Sequence, residues 1–203
     1  MRERIVVAAL GDSITAGSPR WDPDPAVRAA LGPAADPQSS YQYWAARRDA
    51  RLEFRTSAVY GQRTDEIAER LDAVAAGADV LVVQGGINDI AQRRPVEIAA
   101  ENLRRMVRRG KELGLRVALV DVLPWNNGYP DADGPIRRLN ELVEAIGRDE
   151  GVPVLPFHHT LEDPERPGRM REEWTDDGDH PSTEGYRLLG ERAFRLSVNS
   201  HQR

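Results

Sequence analysis

Several short clusters in this sequence combine the residue types that acyl transfer requires. They are Gly11-Asp12-Ser13, Tyr60-Gly61-Gln62, Gly86-Ile87-Asn88-Asp89 and Asp177-Gly178-Asp179-His180. A serine hydroxyl is a poor nucleophile at neutral pH and needs a base to take its proton as it attacks. Histidine titrates in the right range for that task. A carboxylate must then hold the imidazole in the right tautomer and stabilise the imidazolium. Ser13 is the candidate nucleophile and His180 the candidate base. Asp177 stands three residues before His180 and reaches its Nδ1 if the segment forms one turn. The backbone N–H groups of Ser13 and Gly61, with the side-chain amide of Asn88, are candidate donors to the oxyanion. Taken singly, each cluster has a plainer use as a helix cap or a turn. Asp12 and Asp89 suit turn bracing better than direct chemistry. Asp179, badly spaced to partner His180, is expected to face solvent.

These clusters sit where an alternating chain would place them. Ile5–Leu10, Leu52–Val59, Val80–Val83, Val117–Val122 and Val152–Leu155 read as short strands. Helical patterns lie between them. Thr64 is expected to cap one, with Ile67, Leu71 and Val74 on its apolar face. Pro95 opens a second, which Gly114 closes, and Pro135 opens a third with a stripe of Ile136, Leu139, Val143 and Ile146. Ser182 caps the last, whose stripe is Tyr186, Leu189, Ala193 and Leu196. Strands alternating with helices predict a parallel sheet covered on both faces, a three-layer α/β/α sandwich. Ligands of such sheets bind beyond the carboxyl ends of the strands, and the clusters above follow those ends.

Composition narrows the chemistry. The chain has 203 residues, which is about one domain's length, with no internal repeat. There is no cysteine, so a disulfide framework, a thiolate metal site and a cysteine nucleophile are excluded. Lys111 is the only lysine, which excludes a Schiff-base or phosphate-loop lysine elsewhere. Asp and Glu total 33 against 28 Lys and Arg, a formal charge of −5. Arg104, Arg105, Arg108 and Arg109 form a basic run, but no aromatic residues interleave it, and it reads as a solvated helix face rather than a nucleic-acid surface. His158 and His159 have no carboxylate at an obvious ligand spacing, so no metal site is expected there. No run approaches the ~20 apolar residues of a membrane span. The N-terminal Met-Arg-Glu-Arg stretch leads straight into the first strand, so a cytoplasmic, unexported chain is expected. Residues 18–40 hold five of the 14 prolines. Following the first strand end, this insertion either overhangs the site or is a solvent-exposed loop.

The sequence resembles the SGNH hydrolases, also called the GDSL-like lipase/esterase family. Gly11-Asp12-Ser13-Ile14-Thr15, Gly61, Gly86-Ile87-Asn88-Asp89 and Asp177-Gly178-Asp179-His180-Pro181 match the family's four blocks in order. The resemblance spans nearly the whole chain. It implies a flavodoxin-like fold with a five-stranded parallel sheet, a Ser13-His180-Asp177 triad, and an oxyanion hole of Ser13, Gly61 and Asn88. It also implies hydrolysis without metal or cofactor. Ile14 replaces the leucine of the name-giving motif, and Thr56 stands where an asparagine often precedes the second block. The Gly-x-Ser-x-Gly elbow of the larger α/β-hydrolases is absent.

The expected activity is that of a serine esterase acting on small or medium acyl esters through an acyl-enzyme. Open beside it are an O-acetylesterase acting on a sugar or metabolite, a lysophospholipase, a thioesterase, and a degenerate module that only binds acylated ligands. A doubly wound nucleotide-binding module lacks support, since no Gly-x-Gly-x-x-Gly follows the first strand. Trp125, Tyr129 and Trp174 are candidate walls of a substrate pocket, or else pack their loops onto the core. Tyr41, Tyr43 and Trp44 suit core packing.

Overall fold

A computed structural model describes residues 4–17, 26 and 36–196. Among them, strands β1 (Ile5–Gly11), β2 (Leu52–Ala58), β3 (Val80–Val83), β4 (Arg116–Val120) and β5 (Val154–Leu155) form one parallel sheet in the order 2-1-3-4-5. The helices are α1 (Ser13–Ala16), α2 (Tyr41–Arg48), α3 (Thr64–Ala68), α4 (Leu71–Ala75), α5 (Ile87–Ala91), α6 (Val96–Glu112), α7 (Asp133–Glu150), α8 (Phe157–Leu161) and α9 (Thr183–Leu188). A single wide π-turn over Leu189–Ala193 extends α9.

Successive side chains of a strand point to opposite faces. Ala8, Leu10, Leu81, Val83, Val117 and Leu119 pack against Ile67, Leu71, Leu103, Met106, Leu139 and Val143, from α3, α4, α6 and α7. Ile5, Val7, Val80, Val82, Ala118 and Val120 pack against Tyr41, Phe157, Tyr186 and Phe194 on the other face. The result is a three-layer α/β/α sandwich. Its central strands are continuous aliphatic runs because both of their faces are buried. From β1 the chain moves to one side for β2 and to the other for β3, so the switch in strand order lies at the carboxyl ends of β1 and β3. Ser13 and Asn88 follow those two ends.

Some local expectations are corrected. Thr64 does not cap a helix. Its N–H and Oγ1 instead donate to the buried Asp89 carboxylate, at 2.9 and 3.1 Å. A buried carboxylate needs such donors, and this need overrides the capping preference. The single helix expected there is two short ones, α3 and α4. Helix α7 starts at Asp133, with Pro135 in its first turn, where backbone N–H groups have no partner within the helix. A two-stranded antiparallel ribbon, β6 (Glu162–Asp163) with β7 (Arg166–Met170), follows α8. Of the proline-rich insertion at 18–40, residues 18–25 and 27–35 lie outside the described residues.

The arginine run on α6 is paired throughout. Arg104 meets Asp149 and Glu150, Arg105 meets Glu101, Arg108 meets Glu150 and Arg109 meets Asp72. His158 is held by structure: its Nδ1 lies 2.7 Å from the Val122 carbonyl and its N–H donates to Asp121 Oδ1 at 2.7 Å. Among the described residues, no helix is long and apolar enough to cross a membrane.

Leu139 lies at the centre of the α7 stripe with no exposed surface. Leu139→Ala is expected to cost about 2–5 kcal/mol of stability, read from urea unfolding midpoints. A loss well under about 1 kcal/mol would contradict the packing described.

Candidate active site

The turn after β1 is built from buried polar contacts. Asp12 Oδ1 accepts from the Ile14 N–H at 3.0 Å and caps the short α1. Gln84, at the end of β3, accepts from the Asp12 N–H at 3.2 Å and from Thr15 Oγ1 at 2.9 Å. Tyr186 donates to the Ile14 carbonyl at 3.1 Å and Gln42 to the Thr15 carbonyl at 2.7 Å. Three separate elements therefore fix one turn from outside, and with it the buried Ser13.

Ser13 Oγ lies 3.0 Å from His180 Nε2, and His180 Nδ1 lies 2.8 Å from Asp177 Oδ2. The segment 177–180 does form a single turn. Asp177 Oδ1 accepts from the N–H groups of Asp179 and His180 at 2.8 and 2.7 Å, while Oδ2 faces the ring. Thr175 Oγ1 closes the turn, donating to the His180 carbonyl at 2.7 Å and accepting from Gly178 N–H at 2.9 Å. Gly178 has φ +84°, and a Cβ there would lie 2.7 Å from Asn127 Nδ2. Both the conformation and the close approach require glycine. Asn127 Nδ2 donates to the Asp177 carbonyl and the Asn126 N–H to the Gly178 carbonyl, so the loop after β4 grips the turn.

Burial works against ionising Asp177. The hydrogen bond and charge of His180, with the two backbone donors, outweigh it and hold the carboxyl below its ordinary range. A carboxylate so held keeps the Nδ1–H tautomer and leaves Nε2 as the acceptor facing Ser13. Asp177, Asp179 and His180 are also close enough to share a metal ion. Both ring nitrogens of His180 are already committed, however, one to Asp177 and one to Ser13.

The Asn88 side chain, on α5, donates through Nδ2 to the Gln62 carbonyl at 3.0 Å and, more weakly, to Asp12 Oδ2 at 3.4 Å. Gly61 takes φ +75°, and the space where its Cβ would stand is open. Asp89 braces α5 against Thr64 as described above. Asp12 and Asp89 are thus turn-bracing groups, and burial raises both carboxyls above the ordinary range.

Asp179 does not face solvent as expected. Trp125 Nε1 donates to its Oδ1 at 2.7 Å, and burial, then the nearby Asp177 charge, raises its carboxyl. Trp125 meets Tyr129 edge-on at 5.8 Å, and the Tyr129 hydroxyl donates to the Ile90 carbonyl at 3.2 Å. These two rings join the His180 turn to α5. Between them and the nucleophile turn is a cavity of about 10 Å³ walled by Ile14, Ile87, Leu123 and Trp125, room for one water. Trp174 packs onto the α2/α9 side of the core with the Arg171 guanidinium 4.9 Å over its ring. Tyr41 is a core residue. Gln84, Gln62 and Arg70 were missed by sequence reasoning. Their partners are 8–72 residues away along the chain, and no local spacing marks them.

Burial lifts the Asp12 carboxyl to about 6, against about 3.9 in an unfolded chain. The folded state therefore holds this proton more tightly. The stability it contributes is complete below about pH 4 and is lost as pH rises through about 6. Asp12→Asn keeps an acceptor for Ile14 and removes the titration. The stability of wild type minus that of D12N, from urea unfolding, is expected to fall by roughly 2 kcal/mol between pH 4 and 7. A difference that stays constant over that range would contradict it.

Comparisons with known proteins agree with this architecture. A G-D-S-L family protein from Desulfitobacterium hafniense DCB-2 is 21% identical, with a TM-score of 0.75 over 93% of this chain and 97% of its own. A GDSL-like lipase from Bacteroides thetaiotaomicron superimposes with a TM-score of 0.70 at 20% identity, covering 91% of this chain and 83% of its own. A lipase/acylhydrolase from Enterococcus faecalis gives 0.68 at 21% identity, over 92% and 91%. At these identities the likeness establishes the shared fold. No curated protein matches by sequence. Residues 9–188 match the family model for GDSL-like lipases and acylhydrolases. The chain belongs to the GDSL-like Lipase/Acylhydrolase family.

Proposed function

We propose that the protein is a serine carboxylic ester hydrolase working through an acyl-enzyme on Ser13. The observation that carries this reading is one hydrogen-bonded line: Ser13 Oγ, His180 Nε2, His180 Nδ1 and Asp177 Oδ2, with contacts of 3.0 and 2.8 Å. Ser13 Oγ attacks the ester carbonyl carbon while His180 Nε2 takes its proton. Asp177 steadies the imidazolium so formed. The negative charge that develops on the carbonyl oxygen is met by the Ser13 and Gly61 N–H groups and by Asn88 Nδ2, which exchanges its weak 3.4 Å contact with Asp12 Oδ2 for the oxyanion. Collapse expels the alcohol, which receives its proton from His180. A water then gives its proton to His180 and attacks the acyl carbon, and Ser13 is restored as the acid leaves.

The proposed substrates are esters of short or medium acyl groups, and the cavity beside Ile14 and Trp125, with room for one water, is not assigned as the acyl pocket. Trp125 and Tyr129 are the proposed apolar wall, and Trp174 is given a packing role. The Ser/His/Asp line works by proton transfer alone, so the mechanism assigns no role to a metal or cofactor.

A panel of p-nitrophenyl esters of rising acyl length tests this reading, with Ser13→Ala alongside. Wild type is expected to hydrolyse the short esters while Ser13→Ala stays at background. Asn88→Ala is expected to lower kcat by about 10²–10³, and Asp177→Asn by up to about 10⁴. Wild type no faster than Ser13→Ala on every ester would overturn the proposal. Turnover confined to acetyl esters would narrow it to an O-acetylesterase, and a preference for long chains or thioesters would shift the substrate class.

A further inference from the structure

We infer that Arg70 and Gln62 form a positioning pair that aligns the oxyanion donors. This rests on the oxyanion roles proposed above. Arg70 lies outside the four sequence clusters, and Gln62 closes the second of them beside Gly61. Arg70 lies between α3 and α4, and its guanidinium is half-buried behind the ends of β1 and β2. Its Nη2 donates to the Gly11 carbonyl at 2.9 Å, two residues before the nucleophile. Its Nη2 and Nε also donate to Gln62 Oε1 at 2.7 and 3.0 Å, one residue after Gly61. Its Nη1 donates to Ser57 Oγ at 2.7 Å, near the end of β2. The Gln62 carbonyl in turn accepts from Asn88 Nδ2 at 3.0 Å.

One planar cation therefore links the three segments that carry the proposed donors: the Ser13 turn directly, the Gly61 loop through the Gln62 side chain, and Asn88 through the Gln62 backbone. Among the described residues its four hydrogen bonds reach uncharged acceptors. A surface ion pair does not explain its place. The fork of an arginine suits this task, because several donors leave one rigid plane in fixed directions. Lysine offers a point charge and cannot span the same acceptors. Gly61 itself is exposed and has no side chain, so its loop depends on its neighbour for a fixed position. Donors aimed in advance at the developing charge are effective because they need no rearrangement during reaction.

Loss of the pair is expected to lower kcat and leave KM nearly unchanged, since the contacts matter most in the transition state. Arg70→Ala is expected to lose about 10–10²-fold in kcat on the best ester, less than the loss of a donor itself. Gln62→Leu is expected to lose a similar factor, and Arg70→Lys less. The decisive reading is a double-mutant cycle. In an Asn88→Ala background, Arg70→Ala is expected to cost clearly less than it does alone, because one of the donors it aligns is gone. Gln62→Leu, at a partly exposed loop position, carries the test if Arg70→Ala does not fold. Full kcat in both single variants, or losses that simply multiply with that of Asn88→Ala, would overturn the inference. Wild-type turnover that vanishes in Ser13→Ala keeps the proposed function standing in that case. A wild type equal to Ser13→Ala overturns both.

Discussion

The contact between Ser13 Oγ and His180 Nε2 joins two turns that lie 167 residues apart in the chain. A hydrogen bond of this kind tolerates errors of only a few tenths of an ångström. Neither partner can supply that accuracy alone. Each turn is therefore pinned to the rigid sheet by polar contacts from several elements. On one side Gln84, Gln42 and Tyr186 hold the Ser13 turn. On the other, Asp177 folds its own turn back onto the imidazole while Thr175 and the loop after β4 close it. The sandwich is the frame on which those two turns meet.

The same demand explains the unusual burial of acids here. Asp12 and Asp89 are fully buried, which costs free energy unless donors surround them. Asp12 takes the Ile14 N–H, and Asp89 takes both donors of Thr64. Their role is to stop the turns after β1 and β3 from relaxing. Asp179 continues the pattern at the third turn, where Trp125 ties it to the loop after β4. Three of the four motif blocks thus carry a bracing acid next to a residue with proposed chemistry.

Much of this was legible in the sequence. Four strands announce themselves as short apolar runs and β2 by its alternation, and the α7 stripe of Ile136, Leu139, Val143 and Ile146 is buried as its spacing predicts. The approach of Asp177 to His180 follows from three residues of spacing in one turn. What stayed hidden depends on distance along the chain. Thr64 looks like a helix cap until Asp89, 25 residues away, claims its donors. Asp179 looks solvated until Trp125 arrives from 54 residues away. Arg70 and Gln62 sit eight residues apart on a turn and a loop, and only folding brings the Gly11 carbonyl, 59 residues away, to the same guanidinium. Local spacing reports local partners, and these contacts are made by topology.

We propose Ser13, activated by His180, as the nucleophile. Intact-protein and peptide mass spectrometry after treatment with an organophosphonate ester tests it directly, because such reagents form stable adducts with an activated serine. The account predicts one adduct per chain, on the peptide that carries Ser13, and none when His180 is replaced by alanine. An adduct on another residue, or no adduct under conditions that label a known serine hydrolase, would contradict it.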